Sequence, residues 1–308
     1  DEEVNGRAGA AALAQRLAAR GVTPEFVLDE GGTMLSGLVP GIAAPVASIG
    51  MAEKGYVSVE LTARAAGGHS SIPPARTAIG VLSAAVQRLQ DHQVPANIGA
   101  AMGESFDYLG PEMPLPMRVV FANLWLFGPL VEWQMASAPP SNAAIRTTTA
   151  PTIFEGGQKE NQLPTVARAV VNFRILPGET VAGTLEHVRR TIADPEVTLA
   201  VLEGGNDPTP ISPSDAPAFA YLARTIRATN PGTLVTPFLV LGATDARHYS
   251  GLSRNVYRFA PTHTRPDDVT RFHGLNERIS VADYVGMIQF YSALLRELGG
   301  LGAGQVPD

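Results

Sequence analysis

The chain has 308 residues, 45% hydrophobic and 17% charged, with a net charge of −6. That length fits two domains, and the acidic balance speaks against a nucleic-acid binder. Cysteine is absent and six histidines are present, so disulfides and thiolate chemistry are excluded and any metal must be held by His, Asp and Glu.

The chain opens on Asp1-Glu2-Glu3, with no Met and no leader in view. Residues 6–20 are rich in Ala and Leu and read as a helix stopped by Gly21. Phe26-Val27-Leu28 reads as a short strand that ends on Asp29-Glu30-Gly31-Gly32, and residues 46–50 form another apolar run. Residues 56–64 alternate, with Val57, Val59, Leu61 and Ala63 apolar between polar neighbours. That is a strand wet on one face. Gly67-Gly68-His69-Ser70 breaks it, and Ile79, Leu82, Val86 and Leu89 then recur at helical spacing.

The stretch 92–150 is rich in Pro and Gly and has no period, so it reads as an elaboration with short helices. A strand returns at 166–176 with Val171, Phe173 and Ile175 on one face and Asn172 and Arg174 on the other. Pro177-Gly178 turns the chain into a helix with Val181, Leu185, Val188 and Ile192, and Val197, Leu199 and Val201 make a strand. This order suits a small open-faced α/β sandwich. Further on, Phe219, Leu222 and Ile226 lie on a helix, and Phe238-Leu239-Val240-Leu241 is a buried strand ending at Gly242-Ala243-Thr244-Asp245. Residues 256–259 form another strand, and Ser280 caps a long final helix. Buried strands alternating with helices predict a mostly parallel sheet covered on both faces. No apolar run approaches about eighteen residues, so no segment reads as a membrane span.

Single motifs say little. Glu2-Glu3 reads as a solvated chain end, Asp29 as a turn former, and His69, Asn161 and His273 as polar loop residues. Arg174 reads as a surface charge, although a planar guanidinium also suits a carboxylate clamp. There is no Gly-x-Ser-x-Gly elbow, no phosphate loop and no dinucleotide fingerprint. Together the residues make a set: carboxylates at strand ends, a histidine before the last helix, and a small domain with His, Asn and Arg. Oxygen and imidazole donors without sulfur suit a hydrolytic zinc site, where an acid beside a ligand can serve as the base.

Eight motifs occur in order: Asp1-Glu2-Glu3-Val4, Leu28-Asp29-Glu30-Gly31-Gly32, Glu53-Lys54-Gly55-Tyr56, Gly67-Gly68-His69-Ser70-Ser71, Glu160-Asn161-Gln162-Leu163-Pro164, Phe173-Arg174-Ile175, Thr244-Asp245-x-Arg247 and His273-Gly274-x-Asn276-Glu277-Arg278. In this series the chain resembles the dinuclear zinc exopeptidases that include aminoacylase-1, acetylornithine deacetylase and carboxypeptidase S. It is most similar to the carboxypeptidase S and N-fatty-acyl-amino-acid hydrolase branch. The resemblance implies an α/β catalytic domain with a mostly parallel sheet, split as 1–53 and 206–308. Between its two parts it implies an inserted ferredoxin-like lid and dimerisation domain at 54–205, elaborated at about 92–150.

The resemblance also implies roles. Glu2 would be the general base, and Glu3, Asp29 and His273 ligands of two zinc ions, with cobalt or manganese as alternatives. His69 would stabilise the oxyanion, often in the partner subunit's site. Asn161, Arg174, Thr244 and Arg247 would contact the substrate, with Arg174 or Arg247 on its free carboxylate. The implied reaction is attack of metal-bound hydroxide on the amide of an N-acyl amino acid or dipeptide. The implied partners are that small molecule and a second copy of the chain.

The departure is at the front. The family's His-x-Asp pair and bridging Asp precede the Glu-Glu pair, so the chain reads as a C-terminal piece that is inactive alone. Robust release of amino acid by this chain, with zinc added, would refute that expectation. The alternative reading is a catalytically dead fragment or relative acting through its dimerisation domain. The five residue types at Glu2, Glu3, Asp29, His69 and His273 favour the hydrolase.

Overall fold

The computed structural model describes residues 6–301. The chain divides into two compact units, one built from 1–53, 98–131 and 210–308, the other from 54–97 and 132–209.

In the first unit, the central strand is β3 (Val46–Glu53), all eight of whose residues are buried. Burial on both faces explains why it shows no polar alternation. Along one side β10 (Leu234–Val240) pairs with it in parallel. Along the other side lie β2 (Met34–Leu35), antiparallel, and then β11 (Val256–Arg258), which meets it antiparallel at Gly50. β1 (Val27–Asp29) adds to β11 in parallel, and β12 (His263–Thr264) adds to β2. The parallel pairings β1–β11, β3–β10 and β2–β12 predominate, as expected, while the short contacts of β2 and β11 with β3 run antiparallel. Short return strands reverse direction beside β3 without a helical crossover.

Helices α8 (Pro217–Thr229) and α9 (Val281–Leu301) close this core. Phe219, Leu222 and Ile226 of α8 and Phe290 and Leu294 of α9 pack with Met34, Ile49 and Tyr257. The Phe259 and Phe290 rings meet edge to face, centroids 5.5 Å apart. Ser280 caps α9 as expected, its Oγ accepting from Asp283 N at 2.9 Å. Helix α1 (Ala10–Ala19) stops before Gly21, whose φ of +67° suits glycine. Among the described residues no helix is long and apolar enough to cross a membrane.

The second unit is a four-stranded antiparallel sheet in the order β6-β8-β4-β9. β4 (Gly55–Arg64) and β8 (Val166–Ile175) pair over their full length, from Gly55↔Ile175 to Arg64↔Val166. β6 (Thr148–Gly156) and β9 (Val197–Val201) are the edges. Helices α2 (Ala78–Asp91) and α7 (Val181–Ile192) pack Val81, Leu82, Ala85 and Val188 onto Val57, Val59, Leu61, Val171 and Phe173. Thr77 and Thr180 cap these helices, each accepting a backbone N–H three residues on. The opposite face is polar, as the alternation required. Arg168 Nε donates to Glu60 Oε2 at 2.6 Å and Asn172 Nδ2 to Ser58 Oγ at 3.1 Å.

The stretch 92–150 differs from the expected elaboration of the small unit. It holds α3 (Ala100–Leu109), α4 (Leu115–Phe121), α5 (Leu124–Ala136) and α6 (Pro139–Ile145), followed by the start of β6. Residues 98–131 group with the first unit. There Ser105 Oγ of α3 donates to Pro237 O at 2.6 Å, and Leu109 and Met113 pack on Ile42 and Val46.

Candidate functional site

Asp29 closes β1, which lies against β11 in register with Arg258. Its Oδ1 accepts from Glu30 N at 2.9 Å. Its Oδ2 is buried and has no hydrogen-bond partner among the described residues. A lone buried carboxylate oxygen is costly unless something positive meets it. The turn that follows is forced by close approach. A Cβ on Gly32 would stand 1.9 Å from Ser48 O and 2.6 Å from Arg258 O.

Thr244, after β10, caps a 3-10 helix at Asp245–Tyr249, with Oγ1 accepting from Ala246 N at 3.3 Å. Arg247 lies on this helix and is half-buried. The neighbouring Asp245 Oδ1 is a second buried carboxylate oxygen without a partner among the described residues. A Cβ on Gly6 would fall 1.9 Å from that oxygen and 3.2 Å from His248 Nε2, so a glycine at position 6 leaves room for this carboxylate. Burial first, and then Asp245 and Asp29, push the Tyr249 phenol up. Burial, Asp29 and Glu30 do the same to Tyr291. Asp29 and Asp245 thus create a negative corner.

His273 sits with φ of +54° on an exposed turn, where its N–H donates to Glu277 Oε2 at 3.2 Å. Glu2 and Glu3 lie outside the described residues. Among the described residues, no three His, Asp or Glu side chains are grouped to hold a metal ion. Of the expected ligands among the described residues, Asp29 presents a buried, unpartnered oxygen of the kind that a hard or borderline cation requires.

In the second unit, motifs some ninety residues apart in sequence are joined. β5 (Gly68–His69) pairs with β7 (Gln162–Leu163), placing His69 opposite Gln162. Ser70 N donates to Asn161 O at 3.1 Å, so His69 and Asn161 share one exposed ribbon. His69 Nδ1 accepts from Ser71 N at 3.2 Å and lies 2.8 Å from Ser71 Oγ. A backbone N–H can only donate, so a neutral His69 carries its proton on Nε2. Beside this ribbon is a cleft of about 860 Å³ lined by Gly67, Gly157, Gln162, Leu163 and Arg168.

Arg174 lies elsewhere. It pairs with Tyr56 at the other end of β4, its guanidinium 4.8 Å above the Tyr56 ring. Eight residues of strand separate Tyr56 from Arg64, roughly 26 Å, and His69 follows Arg64. One chain therefore does not bring Arg174 to His69.

Two features were not anticipated from the sequence. Glu53 ends β3 fully inside the protein, its Oε1 accepting from Arg258 Nη2 at 3.0 Å. His263 Nδ1 meets Asp283 Oδ1 at 2.6 Å in a cleft of about 550 Å³. Burial raises the Asp283 carboxyl, but its bonds to Ser280 and His263 overcome that and hold it below its usual range. The Glu-Lys-Gly-Tyr motif was the available signal for Glu53. His263 carried none.

Residues 51–200 match the model of a peptidase dimerisation domain. Over 298 residues the chain is 43% identical to an N-fatty-acyl-amino acid synthase/hydrolase of Xenopus tropicalis, covering 96% of this chain and 58% of that protein. It is 37% identical over 298 residues to probable carboxypeptidase S-like 2 of Dictyostelium discoideum, covering 96% and 57%. The chain thus spans less than two thirds of the length of these relatives. Among solved structures, an M20 family metallo-carboxypeptidase from Sulfolobus solfataricus superposes with a TM-score of 0.64 at 17% identity, covering 96% of this chain and 68% of that one. Human carnosine dipeptidase 1 gives 0.61 at 14%, covering 96% and 64%. These last two show the fold.

Proposed function

Because the chain is a homologue of the N-fatty-acyl-amino acid synthase/hydrolases and carboxypeptidase S-like proteins and carries their type of dimerisation domain, we propose that the protein carrying it hydrolyses the amide of an N-acyl amino acid or dipeptide with the help of zinc. The observation that carries this reading is Asp29, whose buried oxygen waits unpartnered at a strand end in a negative corner. That is the environment of a cation ligand.

Glu3, Asp29 and His273 would hold the metal, which supplies Lewis acidity toward water and the amide carbonyl. Glu2 would take a proton from the attacking water and hand it to the leaving nitrogen. His69 would donate from Nε2 to the developing oxyanion, with Ser71 fixing that tautomer. Asn161, on the same ribbon as His69, would orient the acyl group, and Thr244 and Arg247 would bind the free carboxylate. The match to a peptidase dimerisation domain supports action of His69 on a second copy's substrate in a homodimer.

The reaction is tested by release of free amino acid from N-oleoyl and N-acetyl amino acids and from dipeptides, with zinc and with chelator. Zinc-dependent release from any of the three by the whole protein that carries this chain is expected. No release from all of them, by a preparation that binds zinc, would overturn the proposal. A dead relative acting only as a dimer would show that second pattern.

A further inference from the structure

Glu53 and Arg258 are the charged pair at the centre of the first unit, 1% and 0% exposed. Arg258 Nη1 also donates to Val256 O at 2.9 Å. The strand is shaped around the pair: a Cβ on Gly50 would stand 3.0 Å from Arg258 Cβ and 2.5 Å from Val240 Cγ2. A buried ion pair is weak ground for stability, because desolvating both charges offsets their attraction. Its geometry points to another role. The second Glu53 oxygen, Oε2, accepts from the backbone N–H of Thr244. That residue caps the Asp245–Tyr249 helix carrying Arg247. On the other side, Arg258 belongs to the strand that fixes the Asp29 turn. Phe259 N donates to Asp29 O at 2.7 Å and Ala260 N to Gly32 O at 2.8 Å. The two loops also lie close together, since a Cβ added at Gly31 would stand 3.4 Å from Thr244 Cγ2.

We propose that Glu53 is a positioning residue: through Arg258 and the Thr244 N–H it sets the Asp29–Gly32 turn and the 244–249 helix in register, and so places Arg247 relative to Asp29. The functional half of this statement rests on the proposed hydrolysis; the structural half does not.

The test compares two double variants of the full chain. Glu53→Met with Arg258→Met removes both charges and the grip on Thr244. Glu53→Gln with Arg258→Met removes the charges but leaves an amide oxygen for the Thr244 N–H. With no charge left unpaired, both should fold with Tm close to the unmodified chain. Amide exchange over 244–249 should accelerate more than about tenfold in the Met–Met variant and return toward normal in the Gln–Met variant. Where hydrolysis is measurable, KM should rise by a similar factor in the Met–Met variant with kcat within about threefold, and recover in Gln–Met. A purely structural pair would lower Tm and leave KM and the 244–249 exchange unmoved, which would overturn the proposal. If neither variant folds, the unmodified chain still decides. Its Thr244 amide must exchange as slowly as those of β3, and exchange at loop rates would refute the grip. If the unmodified protein hydrolyses nothing, the proposed function fails while the exchange result still judges Glu53.

Discussion

Lys54 allows a quantitative test of the second unit. Its side chain is buried, with Nζ 2.8 Å from Ala143 O and 2.7 Å from Arg146 O. Those carbonyls lie at the C-terminal end of α6, where acceptors lack intrahelical donors and a cation is favoured. Burial nevertheless pulls the ammonium down to about 8; Glu179 opposes that pull and Arg174 adds to it. In the unfolded chain the group returns to roughly 10.4. Between these values the native state binds fewer protons than the unfolded state, so stability rises with pH across the window. Each pH unit is worth about 1.4 kcal/mol, so about 2 kcal/mol should be gained from pH 8 to pH 10. Tyr257, pushed up to about 12 by burial, acts in the opposite sense only above about pH 10. Urea unfolding at pH 8, 9 and 10, followed by circular dichroism, would measure the gain in the unmodified chain and in Lys54→Met. The variant should lack it. Parallel pH profiles for the two proteins would refute the assignment of a depressed, buried ammonium.

Three further outcomes follow from the site. His69→Ala should lower kcat of the hydrolysis by about 10²- to 10³-fold, as expected for one oxyanion donor, while Tm stays within a degree because the side chain is exposed. A large Tm loss instead would make His69 a structural residue. Zinc at about 100 times its Kd should stabilise the unmodified protein by about 2.7 kcal/mol, and Asp29→Asn should lose most of that rise in a thermal melt. Equal rises in both would remove Asp29 from the ligand set. Gly32→Ala drives a Cβ into two backbone carbonyls, at Ser48 and Arg258. The cost should be about 3 kcal/mol, read by urea unfolding, and an unchanged midpoint would contradict the packing of the Asp29 turn.

How much could be read from the sequence follows from which forces leave a local trace. β4 was legible because one face is wet, so the pattern of polar and apolar residues repeats every two. α2 and α7 were legible from single apolar stripes. β6 was not: it is an edge strand interrupted by Pro151, where the register shifts between Pro151 and Ile153, and a bulged edge keeps no period. The two-residue strands β2, β5, β7 and β12 are too short to have one. The mixed order around β3 depends on those short strands, so it was lost with them. In the site, Asp29 stood out because a carboxylate ended a strand before two glycines. Glu53 did not, because what makes it special is an arginine 205 residues away. Asp245 entered the sequence reading only as part of a strand end and the Thr244-Asp245-x-Arg247 motif, and its buried, unpartnered oxygen emerges only once Gly6 is folded against it.

The two ends of the β4–β8 pair also constrain how a substrate is held. In an N-acyl amino acid the carboxylate lies within about one residue's length, roughly 3.5 Å, of the amide under attack. A side chain that donates to the oxyanion and one that clamps the carboxylate must therefore converge within a few ångströms of each other. Asn161 satisfies this with His69, since the two share a ribbon. Arg174 does not, because it is stacked on Tyr56 roughly 26 Å of strand away from Arg64. If His69 and Arg174 both reach a single substrate, they must come from two copies of the chain. The match of residues 51–200 to a peptidase dimerisation domain accommodates the proposed arrangement, in which each copy would lend His69 and Asn161 from one end of its sheet. Under the proposed function, Arg247 rather than Arg174 would be the clamp beside Asp29, because both lie in the first unit and the proposed Glu53 link joins their loops.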